Sequence, residues 1–305
     1  MKKDIYFKSS NGKDDIHAEI YQCDNPTLIV QVLHGMCEHI TRYEDFANFL
    51  NENNIILAGN DHLGHGPTAE KLGYFGEGDT LEYVVNDVNT LSEKLKQEYN
   101  LPIVYLGHSM GSFILRYYIS KYKTDKIILM GTGYVDNTSA KLLYNLANII
   151  SQFRGEYFIS KMLVSMTTNK FAKMVKGDKH DWISYNKDNI KSFKDDALSG
   201  FDFTVNGYKT LATCLMKINS PETINKTDKS TEIFFLSGAD DPVGNFKNGV
   251  KKVHSLYSDA GFKNLKIKFY NNMRHEILNE KDNKKVYNDI LDYLKGSGNW
   301  FFFYN

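Results

Sequence analysis

The run Ile103-Val104-Tyr105-Leu106-Gly107-His108-Ser109-Met110-Gly111-Ser112-Phe113-Ile114-Leu115-Arg116-Tyr117-Tyr118 sets the architecture. Four apolar residues in a row read as a strand buried on both faces, the kind found in parallel sheets. Residues 112 onward continue as a helix. Between them, Gly107-His108-Ser109-Met110-Gly111 fits G-x-S-x-G. A serine on a tight strand-to-helix turn needs small neighbours, and its oxygen then projects above the sheet. The N-terminus of the following helix favours negative charge that develops there. The competing reading is a glycine-rich structural turn with a solvated serine, and the strand before and helix after weigh against it.

Outward from this turn the same alternation recurs. Residues 15–22 and 27–33 read as strands, with Asn25-Pro26 as a turn. Phe46, Phe49 and Leu50 give residues 42–53 helical spacing, and Ile55-Ile56-Leu57-Ala58 is a strand. Leu81, Val84, Val85, Val88, Leu91 and Leu95 form one face of a helix over 80–99. Ile127-Ile128-Leu129-Met130 is a strand, after which residues 134–225 read as several helices. Strand and helix resume with Ile233-Phe234-Phe235-Leu236, a helix near 246–260, a strand at 265–270 and a helix near 282–294. The pattern predicts an α/β fold with a mostly parallel central sheet flanked by helices. It divides into a core of 1–133 and 226–305 and a helical cap, 134–225, inserted in that core. The terminal aromatic run from Trp300 to Tyr304 is expected to pack as a tail.

A serine nucleophile needs a base, and the base an orienting acid, in the chain order Ser, acid, His on this kind of sheet. Ser237-Gly238-Ala239-Asp240-Asp241-Pro242-Val243 puts two acids just after a strand. Asn272-Met273-Arg274-His275-Glu276 puts a histidine just after the next. Both lie at strand C-terminal ends, where open α/β sheets place their chemistry. His180, in the helical insertion, and His254, within a predicted helix, are rival bases that read as structural or exposed.

Composition narrows the function classes. Of 305 residues, 42% are hydrophobic and 24% charged, enough apolar material for a large core and too much for a disordered chain. Lys plus Arg equals Asp plus Glu at 37 each, so nothing favours nucleic-acid binding through counterion release. Cys23, Cys37 and Cys214 are too few and too scattered for a disulfide framework or a CxxC metal site. With no signal-peptide run at the start and no stretch of about 20 apolar residues, a cytoplasmic protein is expected.

Four blocks make the chain resemble the α/β-hydrolases of the monoacylglycerol lipase, lysophospholipase and serine aminopeptidase group. They are His34-Gly35-Met36-Cys37-Glu38-His39 with Arg42-Tyr43, then Asp61-His62-Leu63-Gly64-His65-Gly66, the serine motif, and the Asp-Pro-Val plus Arg-His-Glu pair. The resemblance implies Ser109 as nucleophile and His275 as base. It implies Asp241 as the acid, three residues after Gly238, with Asp240 the alternative. The backbone N–H groups of Met36 and Met110 would form the oxyanion hole. Asp61, His62 and His65 also suggest a zinc reading, but their spacing differs from helical zinc motifs. The resemblance makes that loop structural, and Glu38, His39 and Arg42 a similar network, so no metal or cofactor is expected.

The cap carries apolar stripes at Leu142, Leu143, Leu146, Ile149 and Ile150, and at Phe158, Ile159, Met162, Leu163 and Met166. Most are expected to pack the cap on the core. Leu146 and Met162 are expected to line the acyl site, and the cap's lip to touch a membrane surface transiently. The function expected is a serine ester hydrolase acting on monoacylglycerols or lysophospholipids. A general carboxylesterase comes next, then an aminopeptidase or a non-catalytic binding protein on the same fold.

Overall fold

The computed structural model describes residues 1–296; the aromatic run at the C-terminus lies outside the described residues. Eight strands form one sheet: β1 Lys2–Lys8, β2 Asp15–Tyr21, β3 Leu28–Leu33, β4 Ile55–Asn60, β5 Ile103–His108, β6 Lys126–Met130, β7 Glu232–Gly238 and β8 Leu265–Tyr270. Their order is β1-β2-β4-β3-β5-β6-β7-β8. β2 is antiparallel to β1 and β4, and every pairing from β4 to β8 is parallel. β2 and β3 follow one another in the chain, yet β4 lies between them. β1 had no apolar run to announce it: an edge strand half in water needs only Ile5 and Phe7 turned inward.

Eleven α-helices accompany the sheet among the described residues. They are α1 Glu44–Asn51, α2 Thr80–Tyr99, α3 Met110–Tyr118, α4 Asn137–Arg154, α5 Lys161–Met166, α6 Thr168–Met174, α7 Lys187–Asp195, α8 Val205–Ile218, α9 Pro221–Lys226, α10 Asn248–Asp259 and α11 Asn283–Lys295. α2 shows why the sequence folds this way. The Asp79 side chain accepts from the Glu82 N–H, and Asn100 closes the helix in the left-handed conformation. Its six expected apolar residues are all buried. Each contributes about 1.5–3 kcal/mol relative to exposure.

The core has two parts, one on each face of the sheet. One gathers α2, α3, α8 and α10; the other gathers α1 and α11. Six helices, α4 to α9, lie between β6 and β7. This excursion is continuous with the body, since α8 packs on α2 and α3 as well as on α4. The buried Arg116 at the end of α3 donates to the Ile218 carbonyl and to Asn219 Oδ1, at 3.2 and 2.6 Å. α3 and α8 are therefore locked end to end.

Candidate active site

β5 ends at His108 and α3 begins at Met110, so Ser109 occupies the turn alone. Its φ of 52° and ψ of −119° are strained for a residue with a side chain, at a cost of order 1–3 kcal/mol. A Cβ on Gly111 would stand 1.9 Å from the Leu33 carbonyl oxygen. Only glycine lets α3 start this close to the end of β3. The same closeness sets the His34–Met36 loop beside the serine, where a Cβ on Gly35 would be 3.1 Å from the Ser109 Cβ.

His34 holds that loop. Its Nδ1–H donates to the Gly35 carbonyl at 2.8 Å, and its Nε2 accepts from the His62 N–H at 3.0 Å. A trans peptide keeps C=O and N–H antiparallel, so fixing the Gly35 carbonyl also fixes the Met36 N–H. Met110 is the first residue of α3, a position whose N–H has no acceptor within its own helix. Ser109, Met36 and Met110 line one cavity of about 490 Å³, together with His275.

His275 follows β8 and donates from Nδ1 to Asp241 Oδ2 at 2.9 Å, which leaves Nε2 free to accept a proton. Asp241 is fully buried, and its other oxygen accepts from the Val243 N–H at 2.8 Å. Asp240 turns elsewhere and accepts from the Tyr185 hydroxyl at 3.2 Å. His180 also lines the cavity, with its pKa lowered by burial and by Lys194 and Lys179. His254 sits on α10 against Phe235.

A buried charge network stands behind the pair. Glu38 Oε1 accepts from the Tyr43 hydroxyl at 2.9 Å and pairs with His108 Nδ1 at 2.8 Å. Burial alone would raise the Glu38 carboxyl, but His108 and Arg42 outweigh it and hold it at about 2. Burial opposes charge on His108 as well, and Glu38 reverses this, leaving its pKa raised. Arg42 joins the network to Glu276 at 2.7 Å. His39 instead reaches out to Asp196 at 2.7 Å. The sequence did not single out His108 in this role, since a pairing with Glu38 seventy positions away leaves no local signal.

Asp61, His62 and His65 do not converge on a common point for a metal. Asp61 accepts from the Ile40 N–H at 2.8 Å and pairs with His17 at 2.7 Å. Among the described residues, the metal-ligating atoms that lie close together are those of Asp4, His17 and Glu19, and there Lys2 already pairs with Glu19 at 2.9 Å.

The cavity wall corrects two expectations. Leu146 and Met162 do not line it: Leu146 packs against the core, and Met162 is 47% exposed. The apolar wall comes from Leu142, Leu143, Met166, Phe171 and Met174, facing Phe113, Leu211 and Leu215. The reason is position along the helix axis. At 100° per residue Leu146 shares a face of α4 with Leu142 and Leu143, and Met162 shares a face of α5 with Met166, but each stands one turn, about 5.4 Å, away along its helix from the residues on the wall. Phe201 and Asp202 line the cavity as well, while Phe203 is buried.

The family described as serine aminopeptidase, S33, matches residues 24–282. Human monoglyceride lipase is 33% identical over 90 residues, which are 29% of this chain and 29% of that protein. Phospholipase YtpA of Bacillus subtilis is 21% identical over 270 residues, 88% of this chain and 95% of that one. A thermostable carboxyl esterase from Bacillus coagulans, solved with glycerol, superposes with a TM-score of 0.89 at 28% identity. That likeness covers 97% of this chain and 98% of the esterase.

Proposed function

The chain belongs to the serine aminopeptidase S33 family of α/β-hydrolases, and from that premise we propose that it is a serine ester hydrolase acting on monoacylglycerols or lysophospholipids. The observation that carries this reading is the meeting of Ser109, on its strained turn, and the His275–Asp241 pair at a cavity with an apolar wall.

In the proposed mechanism Ser109 Oγ attacks the ester carbonyl while His275 Nε2 takes its proton. Asp241 keeps Nδ1 protonated and stabilises the imidazolium. The Met36 and Met110 N–H groups hold the oxyanion, and one such donor is worth about 3 kcal/mol in comparable sites. His275 then returns the proton to the leaving alcohol, and water activated by His275 hydrolyses the acyl-enzyme. These steps are complete without a cofactor. Residues 134–225 act as the cap, with the acyl chain lying along Leu142, Leu143, Met166 and Phe171.

The relatives support a lipid substrate, since a monoglyceride lipase and a phospholipase are among them. The likeness to the Bacillus coagulans esterase favours a second reading, a general carboxylesterase. A transient contact with a lipid surface is supported by Leu142, Ile149, Phe153, Ile159 and Met162, all exposed on the cap. Among the described residues no helix is long and apolar enough to cross a membrane. Three unpaired cysteines fit a reducing cytoplasm.

A p-nitrophenyl ester series from two to sixteen carbons, beside a monoacylglycerol, tests the substrate class. The lipid reading predicts that kcat/KM rises from two carbons to medium chains. A profile that peaks at two carbons and falls steadily selects the carboxylesterase.

A further inference from the structure

Trp182 lies between α6 and α7, and its ring stands 5.2 Å from the His275 ring, tilted by 46°. The segment that carries it, residues 181–189, is tied to the His275 loop along its length. The Glu276 N–H donates to the Ile183 carbonyl at 2.8 Å, and Arg274 donates to the Asp181 carbonyl. Glu280, 4% exposed, accepts from the N–H groups of Tyr185 and Asn186 on this strap, at 3.0 and 3.1 Å. The same carboxylate accepts from the Arg274 N–H at 2.9 Å, one residue before His275. Asn189 donates to Glu276 at 2.8 Å, and the Arg274 guanidinium lies 4.1 Å over the Tyr185 ring. A buried carboxylate accepting from three backbone N–H groups is a strong, directional joint.

We propose that Trp182 is a positioning residue for His275, delivered to it by the strap that Glu280 anchors. This rests on the reading of Ser109 and His275 given above. An imidazole held by one hydrogen bond to Asp241 can still rock about that bond, and a flat indole against it removes this freedom. When His275 takes the serine proton, its positive charge forms within the roughly 6 Å over which an aromatic face stabilises a cation. The other charged and titratable groups near the imidazole have partners of their own. His108, 4.8 Å away, pairs with Glu38, Glu276 with Arg42, and Asp240 with Tyr185. Arg274 is turned to Asp181 and Tyr185, and His180 stands on the cavity wall.

Two measurements test this. The first is kcat and KM on a two-carbon ester, too short to use the acyl wall. W182L should lower kcat roughly 10- to 30-fold with KM little changed, and W182F should recover most of that loss. E280Q, which keeps one acceptor oxygen, should fall between them. The second needs no turnover. The sequence holds two tryptophans, Trp182 and Trp300, so W300F leaves Trp182 as sole emitter. Its fluorescence should be quenched as pH falls and the imidazolium forms, and His275→Gln should remove that transition. A kcat for W182L within twofold of the parent, with S109A inactive, overturns the inference and leaves the hydrolase reading standing. Emission that titrates equally with and without His275 also overturns it. Turnover that survives in S109A overturns the hydrolase reading and the inference with it.

Discussion

Lowering the pH from 7 to 5 should weaken the fold through three histidines that take no part in the proposed proton transfers. His34, His62 and His65 are fully buried with ring centroids 4.2, 5.0 and 6.3 Å apart. Phe75, Phe201 and Phe203 surround His65 at 5.3 to 5.4 Å. Burial and mutual repulsion push His62 down to about 3, and burial holds His65 at about 4. Burial and its two neighbours lower His34 as well. In the unfolded chain each titrates near its ordinary value, about 6.5. These folded values are depressed, so the neutral rings are fully compatible with folding above 6.5, and stability is lost as pH falls from there toward the folded values. Between pH 7 and 5, His62 and His65 each account for about 2 kcal/mol, and His34 acts in the same direction. His17 and His108 have raised values, so their stabilisation grows as pH falls from 7 to about 6.5, opposing part of the loss, and is complete below that. Urea denaturation followed by far-UV circular dichroism at pH 7, 6 and 5 measures the loss. His65→Phe keeps the ring contacts, removes one titrating site, and should shrink the pH 7-to-5 loss by about 2 kcal/mol. Stability that is flat over this window, or a loss unchanged in His65→Phe, refutes the reasoning.

Asp241→Asn should lower kcat by roughly 10³–10⁴-fold, and Asp240→Asn by less than about tenfold, because the imidazole depends on Asp241 alone for its tautomer. The opposite ranking in steady-state assays moves the acid to Asp240. Glu38→Gln leaves His108 and Arg42 short of their buried counter-charge and should cost about 3–5 kcal/mol in urea denaturation, where a change under 1 kcal/mol contradicts the network. Leu142→Asp should flatten the ester chain-length profile while two-carbon hydrolysis stays nearly intact, whereas Met162→Asp, off the wall, should leave the profile unchanged. Equal effects from the two substitutions contradict the wall drawn here.

The alternation of strands and helices was legible because buried parallel strands are continuous apolar runs, and 103–106, 127–130 and 233–236 are such runs. The serine turn was legible because steric demand leaves so few choices at Gly107 and Gly111. β1 escaped because an edge strand satisfies its one buried face with two residues among lysines. The extent of the wall along α4 escaped for a different reason. Leu142, Leu143 and Leu146 are equally apolar and share one face, and how far along that face the cavity runs depends on how α4 lies on α8. The choice between Asp240 and Asp241 turns on one loop hydrogen bond, from the Val243 N–H. Trp182 stands in an irregular segment with no periodic pattern, and only the folded chain brings it to a histidine 93 positions away.

The central claim is that Ser109 is the nucleophile, and covalent labelling tests it most directly. A fluorophosphonate probe followed by peptide mass spectrometry should find one adduct, on Ser109. S109A should show neither adduct nor ester turnover. An adduct on another residue, or undiminished labelling and hydrolysis in S109A, would contradict the mechanism at its first step.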